Sequence, residues 1–214
     1  MSGRLTVVAP DGVPEVRAGD DLVTLLLEAL ARAGDALADG DVVLVTSKVV
    51  AKAEGRVTGG DRHEALLTQP HRVVARRGAT LIVRTELGLT LAAGGIDASN
   101  VEPGRIVLLP EDPDASARAI RATIRARTGV VVAVVVTDTA GRAWREGQTD
   151  LAIGAAGLRV LESYAGRTDP YGNPLLVTAP AVADELAGAA ELTQGKLTAR
   201  PFAVVRGRAD LVLS

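Results

Sequence analysis

An unbroken apolar run through Val131, Val132, Ala133, Val134, Val135 and Val136 stops abruptly at Thr137-Asp138-Thr139. β-branched side chains on consecutive positions over that length predict a strand buried on both faces. The run is too short for a membrane span, which needs about 20 apolar residues. Residues 4–9, 42–45, 105–109, 202–206 and 210–213 also read as strands. Residues 72–75 and 79–85 predict a hairpin around Arg76-Arg77-Gly78, with 89–92 as a third strand. Leu22, Leu25, Leu26, Ala29 and Leu30 recur at helical spacing behind the capping pair Asp20-Asp21, and Gly34 ends that helix. A second helix opens at Asp112-Pro113-Asp114, turns Ile120 and Ile124 inward and stops at Gly129. Its Arg118, Arg121, Arg125 and Arg127 read as a solvated face. Lying between the strand at 105–109 and the central run, it predicts a β-α-β crossover. A third helix is expected with Thr178 as its cap and Pro180 in its first turn. It buries Val182, Leu186, Ala189 and Ala190 and closes at Gln194-Gly195-Lys196. Residues 59–70 read as a polar surface connection, 151–158 as a close-packing small-residue segment, 169–174 as a loop and 175–177 as a short strand.

This order of elements, without repeats, linkers or low-complexity segments, predicts an α+β (mixed α/β) protein. Residues 1–214 form one structural unit, with room for two interleaved subdomains. Apolar residues make up 47% of the chain but aromatics only 2%, so the core is built of Val, Leu, Ala and Ile. So few rings argue against a protein that stacks nucleic-acid bases. A net charge of −2 gives no general attraction to DNA or membranes. The absence of cysteine excludes disulfides, thiolate catalysis and thiolate-ligated metals, and fits a cytoplasmic protein. No secretory leader is legible at Met1-Ser2-Gly3-Arg4-Leu5.

Two acidic loops carry the candidate chemistry. A carboxylate buried without a partner costs several kcal/mol or stays protonated, and ligands and ions gather at the carboxyl ends of buried strands. Asp138 with Thr139 is therefore a candidate for handling metal or phosphate; the alternative is a strand-ending turn ahead of Gly141. In Gly94-Gly95-Ile96-Asp97-Ala98-Ser99-Asn100 the glycines permit close approach of a ligand. The spacing favours a local Asx turn of Asp97 onto Ser99 or Asn100. Arg142, Trp144 and Arg145 share a glycine-bearing loop that suits a carboxylate or phosphate clamp, or else a surface ion-pair cluster. His63 and His71 are not spaced as a metal-binding pair and read as surface residues. No phosphate loop, nucleophile elbow or dinucleotide fingerprint is present. Carboxylates with Lys48, Lys52, Arg142 and Arg145 suit a metal–phosphate substrate, since Mg²⁺ takes one or two carboxylates and phosphate oxygens.

Four ordered segments resemble the coenzyme F420-0:L-glutamate ligases. The first is Gly40-Asp41-Val42-Val43 through Ser47-Lys48-Val49-Val50-Ala51-Lys52-Ala53-Glu54-Gly55-Arg56. The second is Gly95-Ile96-Asp97-Ala98-Ser99-Asn100, and the third runs from Thr137-Asp138-Thr139 through Arg142-Ala143-Trp144-Arg145-Glu146-Gly147-Gln148. The last is Ala181-Val182-Ala183-Asp184-Glu185-Leu186-Ala187 through Gly195-Lys196, then Ala203-Val204-Val205-Arg206-Gly207. Together they span nearly the whole chain.

The resemblance implies a ligase fold with mixed sheets flanked by helices, in an intertwined homodimer. It implies GTP-dependent joining of L-glutamate to the lactyl carboxylate of F420-0, and of further γ-linked glutamates, through an acyl phosphate. GTP is the co-substrate; two divalent cations, Mg²⁺ or Mn²⁺, and a monovalent cation, K⁺, accompany the activity. By the same resemblance Asp97, Asp138 and Thr139 are metal ligands and, with Arg145, the catalytic set. Gly12, Val13, Pro14, Glu15, Ser47, Lys48, Lys52, Asn100, Gln194, Gly195 and Lys196 match nucleotide-binding positions. Lys196 is expected to contact phosphate, since a charged lysine does not ligate a metal. The segment between the first two signatures is shorter than in archaeal members and resembles actinobacterial ones. Thr85-Glu86-Leu87-Gly88 carries Glu and Leu where a basic residue and His are expected. Actinobacterial relatives often continue into a flavin domain, so a stand-alone ligase or an isolated N-terminal domain is expected, with no flavin site. The alternative reading is a non-catalytic nucleotide- or F420-binding assembly module of the same fold.

Overall fold

The computed structural model describes residues 3–214, so the leader reading at Met1 and Ser2 lies outside the described residues. In chain order the elements are β1 (Thr6–Val8), α1 (Leu22–Arg32), β2 (Val42–Thr46), α2 (Ser47–Ala53), β3 (Val57–Gly59) and α3 (Arg62–Thr68). Next come β4 (His71–Arg77), β5 (Thr80–Thr85), β6 (Thr90–Ala92), β7 (Arg105–Val107) and α4 (Pro113–Thr128). The chain continues with β8 (Ala133–Gly141), β9 (Gln148–Ala156), β10 (Arg167–Thr168), β11 (Pro174–Leu175), α5 (Val182–Gln194) and β12 (Phe202–Arg206).

The central sheet has five strands in the order β1-β12-β2-β8-β9. Only β2 and β8 run parallel; β1, β12 and β9 are antiparallel to their neighbours. Strand alternation sends Val43, Val45, Val134, Val136, Phe202 and Val204 to one face, against α1 and α4. Val42, Leu44, Ala133, Val135, Ala203 and Val205 go to the other, against α5. Val134, Val135 and Val136 are fully buried, each stabilising the fold by roughly 1.5–3 kcal/mol relative to exposure. The mixed α/β class expected from the hydrophobic pattern is what forms. A three-stranded sheet, β4-β5-β6, and the β3-β7 pair stand beside the central sheet.

The structure corrects several expectations. The parallel partner of β8 is β2, and the strand before α4 pairs instead with β3, so α4 does not cross between neighbours in one sheet. β8 does not end at Asp138: Asp138 pairs with Leu151 and Thr139 with Asp150, and the strand runs on to Gly141. Segment 151–158 does pack closely, as expected, and most of it belongs to β9. There a Cβ at Gly154 would lie 2.4 Å from the Pro113 carbonyl carbon at the start of α4. Residues 59–70 contain α3, capped by Asp61, whose carboxylate accepts from the N–H groups of His63 and Glu64. Thr178 does not cap α5; its N-cap is Ala181, with no side-chain hydrogen bond. Residues 209–211 form a 3₁₀ turn rather than a strand. Arg121 is not simply solvated: its Nε donates to the Val132 carbonyl at 2.8 Å and its side chain packs over Gly157.

Candidate active site

The parallel register of β2 and β8 builds the site. Thr46 lies opposite Thr137, so the residues that follow, Ser47 and Asp138, emerge together at the carboxyl edge of the sheet. β12 enters at the same edge, with Phe202 opposite Val45, and brings the segment after α5 alongside. These segments surround an open cleft of about 670 Å³.

On the α2 side of the cleft, Ser47 Oγ donates to Asp138 Oδ1 at 2.8 Å. Burial pushes the Asp138 carboxyl up to about 6; the Ser47 bond opposes this, while the negative charges of Asp150 and Asp97 add to it. Asp97 faces the opposite balance. Burial again raises it, but Lys48 and Ser99 outweigh that and hold it at about 2. Lys48 Nζ lies 2.7 Å from Asp97 Oδ2 and 2.8 Å from Ser99 Oγ. Ser99 N–H donates to Asp97 Oδ1 at 2.8 Å, so the local Asx turn forms and coexists with the lysine pair. Lys52 is buried; it pairs with Glu15 and donates to the Asn100 carbonyl at 2.7 Å. Asn100 itself has a left-handed backbone (φ 57°).

The opposite face of β8 carries a second polar group. Thr139 Oγ1 donates to Asp150 Oδ1 at 2.7 Å, and Thr137 Oγ1 approaches Oδ2 at 3.4 Å. Asp150 N–H donates to Glu191 Oε2 at 3.2 Å. Gln194 is buried, and both polar atoms of its side chain are without hydrogen-bond partners.

Of the expected site residues, Val13, Pro14, Glu15, Ser47, Lys48, Lys52, Asp97, Asn100, Asp138, Thr139, Gln194, Gly195 and Lys196 line the cleft. Gly12 does not; its carbonyl accepts from Arg32 Nη2 at 2.9 Å. Arg145 also stays outside, exposed in the turn between β8 and β9 beside Trp144, which is 96% exposed. Asp150 and Glu191 line the cleft although sequence reasoning passed over them. Isolated acids on a strand and a helix carry no motif; the pairing of β8 with β9 reveals Asp150, and the packing of α5 on β9 reveals Glu191.

Among the described residues, no three His, Cys, Asp or Glu side chains are gathered to hold a metal ion. The Asp97 and Asp138 carboxylates nevertheless fit Mg²⁺, which completes its shell with water and substrate phosphate oxygens, and the Thr139 hydroxyl on the opposite face of β8 would serve a second ion. The buried Asp138 carboxyl, which has hydrogen-bond donors but no ion-pair partner among the described residues, is the kind of group a cation would hold ionised.

An α/β scaffold with a carboxylate- and lysine-lined cleft at its sheet edge defines a class of enzyme-like sites. The family profile described as F420-0:Gamma-glutamyl ligase matches residues 12–63 and 59–207. The chain is 36% identical to a coenzyme F420:L-glutamate ligase of Methanothermobacter thermautotrophicus, over 95% of this chain and 89% of that protein. It is 37% identical to the Methanopyrus kandleri protein of the same name (96% and 89% covered) and 39% to that of Haloarcula marismortui (94% and 87%). The chain belongs to the F420-0:gamma-glutamyl ligase family.

Proposed function

We propose that the chain joins L-glutamate to the lactyl carboxylate of F420-0 at the expense of GTP, in coenzyme F420 biosynthesis. The observation that carries this reading is the cleft's pair of unlike carboxylates, Asp97 held ionised by Lys48 and Asp138 buried without a cation, in a chain 36–39% identical to named ligases. The γ-phosphoryl group passes to the lactyl carboxylate, and the glutamate amine then displaces phosphate, forming the amide. Two bound ions, Mg²⁺ or Mn²⁺, one held by Asp97 and Asp138 and the second by Thr139, would neutralise charge on the transferring phosphoryl group. Ser47 orients Asp138, Lys48 fixes Asp97, and Lys52 ties the turn at Glu15 to the loop at Asn100, framing the nucleotide. Lys196, exposed at the cleft rim, meets phosphate. K⁺ accompanies the reaction.

The same reading carries a cytoplasmic homodimer. Exposed Trp144, Leu176 and Val177 supply apolar surface for self-association, which light scattering on the purified chain tests. Among the described residues no helix is long and apolar enough to cross a membrane.

The deciding experiment incubates the chain with F420-0, L-glutamate, GTP, Mn²⁺ or Mg²⁺ and K⁺, and follows mass and GDP release. A glutamate-sized gain supports the ligase, and the number of added units gives the chain length. GTP or F420-0 binding without a gain would overturn it in favour of the non-catalytic module.

A further inference from the structure

The α5 face of the cleft holds two carboxylates, Asp150 and Glu191, that no cationic side chain among the described residues contacts, although Lys196 and Arg200 line the rim. Asp150 is only 6% exposed, and the hydroxyls of Thr139 and Thr137 are its side-chain partners. Glu191 meets Asp150 through the backbone N–H. Among the described residues neither carboxylate forms an ion pair. Such a group calls for a cation. The independent sign of a ligand is Gln194, three residues after Glu191 and so on the same side of α5. Its side chain lines the cleft, is 3% exposed, and leaves both Oε1 and Nε2 unpartnered. Buried amide groups are nearly always hydrogen-bonded, so each unpartnered one asks for an explanation.

We infer that Asp150, Glu191 and Gln194 receive the amino-acid end of the acceptor L-glutamate, an assignment that rests on the ligase reading. The two carboxylates and Gln194 Oε1 accept hydrogen bonds from the α-ammonium, and Gln194 Nε2 donates to the α-carboxylate. A metal ion would use Oε1 alone and leave Nε2 unsatisfied; a zwitterion uses both atoms of the amide. The position is apt, because Thr139, the hydroxyl that holds Asp150, directly follows Asp138 in β8. Asp138 and the Asp150 group lie on opposite faces of the strand but line one cleft, so the acceptor nitrogen is held in the same cleft as the group that handles the phosphoryl transfer.

The test compares Glu191→Gln and Gln194→Leu with the wild type in steady-state ligation, with thermal melts to confirm folding. Loss of one charge-assisted contact predicts a KM for L-glutamate raised about ten- to hundred-fold, and in Glu191→Gln, which alters no expected nucleotide-binding position, the KM for GTP stays within about twofold of wild type. Glutarate, which lacks the ammonium, should inhibit wild type and Glu191→Gln equally. A wild type that ligates, with an unchanged glutamate KM in both folded variants, overturns the assignment alone. So does a shift in the Mn²⁺ or K⁺ activation constant in place of the glutamate KM. A wild type that does not ligate overturns the ligase reading, and the assignment with it.

Discussion

Ser47 and Asp138, 91 residues apart in the chain, are joined by a 2.8 Å hydrogen bond. The contact follows from one register: Thr46 opposite Thr137 in the only parallel pair of the central sheet. Each residue is the next one along its strand direction, so no loop adjustment is needed to bring them together. The same edge admits Lys48 from the first turn of α2, and Lys48 reaches Asp97 across the cleft. Two remote acids thus acquire opposite electrostatic fates: Lys48 and Ser99 outweigh burial at Asp97, whereas the Ser47 bond does not at Asp138.

The first prediction concerns the charge on Asp138. Asp138→Asn keeps an acceptor for Ser47 Oγ but removes the ionisable oxygen. Metal-dependent GTP turnover should fall by at least about a hundredfold, in line with loss of a metal-positioning group. In chelator the same variant should be more stable than wild type at pH 7.5. The folded carboxyl lies at about 6, raised from 3.8, so its stabilising contribution is complete below 3.8 and is lost as pH rises through about 6. The loss is on the order of 3 kcal/mol at most. Denaturant melts from pH 4 to 8 should show wild type falling towards high pH and Asp138→Asn remaining flat. Unchanged turnover in the variant would remove Asp138 from the metal set.

Lys52 supports a second prediction. Its ammonium is buried, yet its partner Glu15 is largely exposed, so the pair acts more as a tether than as a buried ion pair. Lys52→Met would leave the Asn100 carbonyl without its 2.7 Å donor, at a stability cost of roughly 1–2 kcal/mol. The larger effect should be on GTP affinity, lowered about tenfold or more. Melting with and without excess GTP reads this directly, since a ligand that binds only the native state raises its stability. Equal GTP-induced shifts in both proteins would show that the tether plays no part in nucleotide binding.

These contrasts also explain what the sequence disclosed. The buried run before Thr137, the apolar stripe of α1, and α4 between Pro113 and Gly129 were legible because periodicity and punctuation agree there. The two acids and the lysines that meet them were legible because they sit in compact motifs. α3 was not, because Leu66 is its single fully buried residue, too little to make a helical pattern. Nor was the continuation of β8: Thr-Asp-Thr-Ala-Gly looks like a turn until the hydrogen bonds of β9 are counted. Asp150 and Glu191 carry meaning only through strand pairing and helix packing, which a linear pattern does not display.

Gly95 sets the approach to Asp97 and offers a steric test. Its φ is +77°, and a Cβ there would lie 2.9 Å from three atoms of Leu109. Gly95→Ala should combine a left-handed backbone penalty with overpacking, destabilising by roughly 2–4 kcal/mol. Gly141, with ordinary φ and no neighbouring atom within 4 Å of an added Cβ, is the control. Gly141→Ala should change stability by less than about 0.5 kcal/mol. Equal urea midpoints for the two variants would contradict the packing described around Leu109.

The last prediction tests the α1 cap. Asp21 accepts from the backbone N–H groups of Val23 and Thr24 at 3.0 and 3.2 Å, and it pairs with Arg127 at the end of α4. The arginine bond, opposed by slight burial and helped by Thr24, lowers its carboxyl to about 2. Its contribution is therefore complete above 3.8 and is lost as pH falls through about 2. Asp21→Ala should cost about 1 kcal/mol at pH 7 through the missing cap. Asp21→Asn retains the cap and sacrifices only the charge, so it should cost less than about 1 kcal/mol for a half-exposed pair. Urea titrations at pH 5, 3.5 and 2 should show the gap between wild type and Asp21→Asn closing as acid is added. A gap that holds constant down to pH 2 would mean that the charge of Asp21 contributes nothing and the cap alone matters.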